Sequence, residues 1–385
     1  MPIRPLRWSW LWVAAIACSK TAPLPAAPTP PPSQTATPSQ TATQPSAATP
    51  NSPVAAAAST PQPGDLRTDI DEAARARAVE GKAIFHKEFS IAEGMGPHFN
   101  FSSCAACHNL PGSGGHGDKL HSARLTVING STDGLPQRAV PGFEVLQPTP
   151  GVPINMRKPP PLFGLGLIEA LDDAYISSHC GVSADDGIHG IANVNPGQKR
   201  VGRFGYKAHT STILDFVSNA LNAEMGITNP VDKDPRMFKD ADAVPDPEVP
   251  TATVERIADY VRALAPPSPP AVDAKAQKIF ADIGCATCHR PQTAPGVQAY
   301  SDICLHDVGE DFSSHMKDFL AGPSHWRTAP LWGLRWRDHY FHDDRIDDLD
   351  KAIRAHGGEA TKVRERYAAL PAEAQTALVK WLHTL

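Results

Sequence analysis

One five-residue pattern, two cysteines three apart with a histidine directly after the second, occurs twice: Cys104-Ala-Ala-Cys107-His108 and Cys285-Ala-Thr-Cys288-His289. The 385-residue chain has seven cysteines, so four of them sit in these two stretches. Two thiols on one helical turn reach the two vinyl groups of one porphyrin, and the next side chain then faces the metal. That is how a c-type haem is attached. A four-cysteine zinc site does not require a histidine after each pair, and a thioredoxin-like pair needs a strand–helix context that is absent here. Two covalently bound haems are therefore expected, with Cys104, Cys107, Cys285 and Cys288 as attachment points and His108 and His289 as proximal iron ligands.

The surroundings of the two motifs also repeat. Each follows a short helical stretch ending in Ile-Phe, Ile84-Phe85 and Ile279-Phe280. Thr68-Asp-Ile-Asp71 can cap the first of these helices. Each unit closes on an apolar-x-x-aromatic-apolar-x-x-Leu helix, Ile257 to Leu264 and Leu378 to Leu385. Further helices are expected over 211–223, 253–264, 274–282 and 372–385. The break Ala265-Pro-Pro-Ser-Pro-Pro270 separates the units. The pattern predicts a mainly α chain of two tandem cytochrome c-like haem domains, 66–267 and 268–385, with long Gly/Pro-rich loops and little β.

The N-terminus reads differently. Arg4 and Arg7 precede the apolar run Trp8–Ala17, which is too short to span a bilayer and fits a secretory signal over 1–17. Ala15-Ile-Ala-Cys18 resembles a bacterial lipobox, which would make Cys18 the lipid-bearing residue and its only route to a membrane; the alternative is ordinary cleavage with Cys18 discarded. Residues 21–64 hold twelve prolines and no charge. Such a segment cannot bury enough apolar surface to order itself, so residues 18–65 are expected to be a disordered tether. The periplasm or the outer face of the cell envelope is the expected location. A net charge of -5 gives no basic footprint for nucleic acid. The remaining Cys180 and Cys304 read either as a disulfide, which an oxidising compartment permits, or as two isolated buried thiols. Nothing in the sequence fixes an oligomeric state.

Several stretches, namely Arg157-Lys-Pro-Pro-Pro-Leu-Phe-Gly-Leu-Gly-Leu-Ile-Glu-Ala170, Gly202–Ala208, Glu224–Pro230 and Trp326–Gly333, resemble the di-haem oxidoreductase family, also labelled peroxidase or thiol oxidoreductase. The likeness covers residues 70–385. The segment from Arg327 to Ile353 is also similar to the second domain of bacterial di-haem cytochrome c peroxidases. Two departures stand out: Val308 where the family usually has methionine, and Asp344 where it usually has glycine. The resemblance implies an oxidoreductase, and calcium in related peroxidases makes Asp185–Asn193 a candidate loop beside its reading as a surface turn.

The distal face of each iron decides between electron carriage and chemistry. Candidate distal ligands are Met225, His306, Met316 and His342. Peroxide cleavage also needs a proton shuttle, for which Glu169 and Glu224 are candidates, and a cation, for which Arg203 and Arg327 are. Trp326, Trp332 and Trp336 either relay electrons or wall a haem pocket. The leading expectation is peroxide reduction fed by a small redox donor protein. The rivals are a pure electron-transfer cytochrome and an oxidase of a protein or thiol partner.

Overall fold

The helix before the first motif, α1 (Glu72–His86), starts where Asp71 accepts a hydrogen bond from the Ala74 amide at 2.7 Å. The computed structural model describes residues 60–385 apart from 129–130, 181, 184–185 and 232–238. The signal region, Cys18, the tether up to residue 59 and Asp185 lie outside the described residues. Residues 58–385 cluster as one compact unit.

Helix α1 lies against α6 (Thr251–Ala263), which buries Val254, Ile257, Tyr260 and Val261. The crossing is close. A Cβ on Gly81 would stand 1.8 Å from the Arg256 carbonyl oxygen, so only glycine lets the helices approach this far. Helix α5 (Ile213–Met225) packs against α6 as well, and Gly226 ends it in the left-handed conformation at φ 73°. These three helices contribute Phe85, Leu221, Met225 and Tyr260, among others, to a first core completed by the loops around them. A second core gathers α7 (Ala274–Asp282), α8 (Leu349–Ala355) and α10 (Ala372–Leu382) around Phe280, Tyr367, Leu378 and Trp381.

The chain is not the mainly α fold with little β that its pattern predicts. Among the described residues, ten α-helices are accompanied by eleven strands in five small antiparallel sheets. The largest sheet has three strands, in the order β3 (Ser131–Gly134), β2 (Ala123–Ile128), β5 (Asn155–Arg157). Far downstream, β10 (Leu305–Asp307) pairs with β11 (His325–Arg327). These strands are two to six residues long, too short for alternating hydrophobicity to register in a Gly/Pro-rich sequence. Cys180 and Cys304 form a disulfide, joining the middle segment to β10. No helix of the described residues is long and apolar enough to cross a membrane.

Candidate haem sites

The first motif sits on a single helical turn, α2 (Cys104–Cys107), capped by the Ser103 hydroxyl, which accepts from the Ala106 amide at 3.2 Å. The loop behind it closes where Leu110 and His116 pair backbone to backbone. That closure brings the Gly115 carbonyl to His108 Nδ1 at 3.3 Å. A carbonyl can only accept, so Nδ1 carries the proton and the Nε2 lone pair is left for a metal. Burial pushes the His108 pKa down to about 4, which keeps the imidazole neutral, the form that ligates. Cys104 and Cys107 are in no disulfide, and burial pushes both thiols up to about 12.

The second motif repeats this construction. Gly284, at φ 98°, turns the chain into it. His289 Nδ1 donates to the Tyr300 carbonyl at 3.1 Å, and burial lowers its pKa to about 4. Cys285 and Cys288 are likewise unpaired.

A third imidazole has the same arrangement, and the sequence offered no reason to single it out. His356, at the C-terminal end of α8, donates from Nδ1 to the Ala352 carbonyl at 2.8 Å. Its Nε2 makes no hydrogen bond among the described residues. Burial lowers its pKa, and its charge would act directly on that of His289. Helix α8 packs in the same core as Cys285 and Ala286. The one available signal was a histidine directly after an amphipathic helix in the second haem unit.

The expected distal ligands are placed as follows. His306 is held at both ring nitrogens, Nδ1 by Glu359 at 2.7 Å and Nε2 by Asp302 at 2.9 Å. Desolvation opposes its charge, but hydrogen bonds to Asp302, Cys288 and Glu359 outweigh it and hold the pKa at about 12. A doubly protonated ring has no lone pair to give. His342 accepts from Asn155 Nδ2 at 3.1 Å and stacks on Trp326, with ring centroids 3.7 Å apart. Burial lowers its pKa to about 3. Met225 is buried at the end of α5, and Met316 is buried in the loop before β11.

The expected proton shuttles and cations separate clearly. Glu169 pairs with Arg262 at 2.6 Å and accepts from the Ile213 amide at the start of α5. Arg203, fully buried, donates to the carbonyls of Glu169, Leu171 and Val201 and pairs with Asp173. Both groups are committed to the fold. Glu224 differs. Among the described residues its carboxylate accepts only from Asn100 Nδ2, at 2.6 Å, and desolvation raises its pKa. It lies within electrostatic reach of Cys107, as does Arg138. Arg327 donates to the carbonyls of Gly205 and Thr328. Trp332 packs in the first core, and Trp336 meets Phe163 edge-on at 5.4 Å.

Asp344 occupies the position where the resembling family usually has glycine. Its φ of 60° is left-handed, which explains a glycine there. Aspartate tolerates this conformation better than most residues, and here its carboxylate pairs with Lys158 at 2.8 Å. In the candidate calcium loop, Asp186 pairs with Arg366, and the Asn193 side chain bonds to Lys207, Asp318 and Leu320.

A separate acidic loop has a consequence for stability. Carboxylate oxygens of Asp240, Asp246 and Glu248 lie within 4.8 Å of one another. Burial, followed by repulsion among these acids, raises Asp240 to about 6 and Glu248 to about 7. The folded state therefore holds more protons than the unfolded one between about pH 4 and 7, and stability falls as pH rises through that window. In chelator-containing buffer, melting temperature should drop from pH 5 to pH 7.5. E248Q should flatten that slope, and an unchanged slope would remove this loop as its cause.

The two cysteine–histidine motifs suit haem. So do buried guanidinium atoms left without partners at Arg124, Arg157 and Arg337, which suit its carboxylates. The deciding comparison is the match of residues 148–385 to the family model described as "Di-haem oxidoreductase, putative peroxidase". The chain belongs to this di-haem oxidoreductase family. Its cofactor is thus haem and its class oxidoreductase, as the sequence motifs led us to expect. The matched span contains the second motif, while the first lies ahead of it. No curated protein matches the chain. Among solved structures, a "Kuenenia stuttgartiensis Hydrazine Synthase Pressurized with 20 bar Xenon" is similar at 15% identity, covering 89% of this chain and 100% of that one. Its TM-score of 0.37 is too low to carry any argument.

Proposed function

We propose that the protein is an exported c-type cytochrome oxidoreductase with two covalently bound haems that reduces peroxide. The observation that carries this reading is the asymmetry of the two sites. The second motif has a further imidazole, His356, prepared like His289 with its Nδ1 tied to a carbonyl. The first has a half-buried carboxyl, Glu224, and an arginine, Arg138, within electrostatic reach of Cys107, while of the two imidazoles within reach of His108, His116 is held at both ring nitrogens by carbonyls and His121 pairs with Asp118. Two imidazoles on one iron make a site for electron transfer, whereas one imidazole leaves a coordination position for a small substrate. When bound, the haems supply one-electron redox chemistry.

The balance is two electrons and two protons for each hydrogen peroxide, giving two waters. A small redox protein supplies the electrons through the second site. Glu224, whose pKa desolvation raises, delivers a proton on the first side, and Asn100 fixes its orientation at 2.6 Å. Arg138 offers positive charge to the oxygen that develops negative charge. Export is supported by the Cys180–Cys304 disulfide, which cytosolic proteins rarely keep, and by the apolar stretch before Cys18. Tethering by lipid on Cys18 belongs to the same reading.

Visible and EPR spectra of the matured protein, oxidised and half-reduced, with and without hydrogen peroxide, test this. One low-spin and one peroxide-responsive haem are expected. E224Q should lower peroxide turnover roughly 10²-fold or more with both haems retained. Two low-spin haems indifferent to peroxide in every redox state would make the protein an electron carrier instead.

A further inference from the structure

Three guanidinium groups converge from separate segments without the carboxylates that buried arginines require. Arg157 ends β5 and is only 9% exposed, and its Nη2 has no partner. Its one side-chain bond runs from Nε to Asn155 Oδ1 at 3.3 Å. Arg337 follows the turn Leu334–Trp336; its Nε is buried without a partner, and its guanidinium makes no hydrogen bond or ion pair among the described residues. Arg327 ends β11 and bonds only to backbone carbonyls. The phenol of Tyr206, donating to the Lys158 carbonyl at 2.9 Å, lies within electrostatic reach of all three. The acids nearby are engaged elsewhere, Asp344 by Lys158, Asp302 by His306, and Asp318, within electrostatic reach of Arg157, by His209 at 3.6 Å. A buried donor without a partner is destabilising, and more so when it is charged. Two such atoms, on Arg157 and Arg337, beside a third guanidinium that meets backbone carbonyls alone among the described residues, indicate a missing anionic partner.

The second motif lies beside this cluster. Asp302 donates its amide to the Cys288 carbonyl at 2.9 Å. Ser301 donates to the Thr328 carbonyl at 2.8 Å, which ties the residue after Arg327 to the same segment. Leu334, just before Arg337, shares its core with Cys285. Guanidinium groups match carboxylates through paired donors. We propose that Arg157, Arg327 and Arg337 form a socket for two carboxylates, and that its occupant is the propionate pair of the haem at the second motif. This rests on the reading above that the second motif binds haem.

The test uses the matured holoprotein as R157Q and R337Q, with R337K as the charge-conserving control. Mass spectrometry counts the haems, and spectroelectrochemical titration reads the midpoint potential of each. A cation beside the propionates favours the reduced, less positive iron. In R337Q, with both haems retained, the reduced-to-oxidised ratio of the second haem at fixed poise should fall about tenfold, a shift of about 59 mV for a one-electron couple. R157Q should shift the same haem the same way, the first haem should stay put, and R337K should remain near wild type. Unmoved potentials with both haems in place would overturn the proposal. So would acetate shifting the wild-type spectrum but not that of R157Q, because the socket would then take an external carboxylate. A wild-type protein with no haem at Cys285 and Cys288 would instead overturn the reading on which the proposal rests.

Discussion

H356A should turn the haem of the second motif from low spin to high spin. The oxidised visible spectrum should gain a high-spin band, and EPR should lose one low-spin set of signals. The expectation follows from the donor inventory around that motif. Of the four histidines nearest the argument, His289 is the proximal ligand, His306 has both nitrogens bound to carboxylates, and His342 has its Nε2 engaged by Asn155. Beside the proximal His289 itself, only His356 of these four combines a carbonyl-held Nδ1 with an Nε2 that bonds nothing among the described residues. The Ala352 carbonyl fixes its tautomer, as second-sphere partners of metal-bound histidines commonly do. H342A should leave the spin state unchanged, because it removes a ring stacked on Trp326 rather than a ligand. If H356A keeps both haems low spin, the sixth ligand lies elsewhere and the division of labour between the two sites fails.

C180S/C304S should be among the most destabilising changes outside the haem motifs. The bridge closes a sequence separation of 124 residues. In the chain-entropy description, a loop of that size restricts the unfolded state by nearly 5 kcal/mol, and native disulfides typically contribute about 2–5 kcal/mol. Cys304 is fully buried beside Leu305 and Ile303, so the unbridged thiols would also leave a poorly packed pair in the core. For a body of this size the melting temperature should fall by roughly 5–10 °C. Denaturant titration of non-reduced wild type and the double serine variant would measure it, with haem content matched by mass. Equal midpoints would mean that the unfolded chain is already constrained, by the covalently held haems for instance.

The haem cofactor and the long helices were legible in the sequence; the strands and the surroundings of the two motifs were not. The first helix is capped by Asp71, within the stretch that signalled it, and α6 and α10 lie within about three residues of their periodic segments. Both signals are local, one a capping side chain and the other a 3.6-residue period. The strands were missed because pairs such as His98–Phe99 with Arg138–Ala139 are too short to alternate. Glu169 and Arg203 read as candidate catalytic groups by residue type, whereas the partners they meet in the fold, Arg262 and Asp173, lie in segments that the sequence did not connect to them. Arg157, Arg337 and His356 gave no sign of themselves, since what marks them is the contact each lacks or makes once 150–356 is folded. Motif spacing reports on chemistry within one turn of chain, and the distal and outer surroundings of a haem are assembled from segments up to two hundred residues apart.

The Lys207 amine, its pKa lowered to about 7 by burial, stands 3.8 Å from the centre of the Trp326 ring and donates to the carbonyls of Gly322, Pro323 and His325, while the His342 ring stacks on the same indole. A positive charge held against an aromatic face is attracted to its electrons, and the same attraction makes those electrons harder to remove. While Lys207 carries its charge, Trp326 is therefore poorly suited to become a cation radical, and any hole that escapes during turnover should settle on another aromatic side chain.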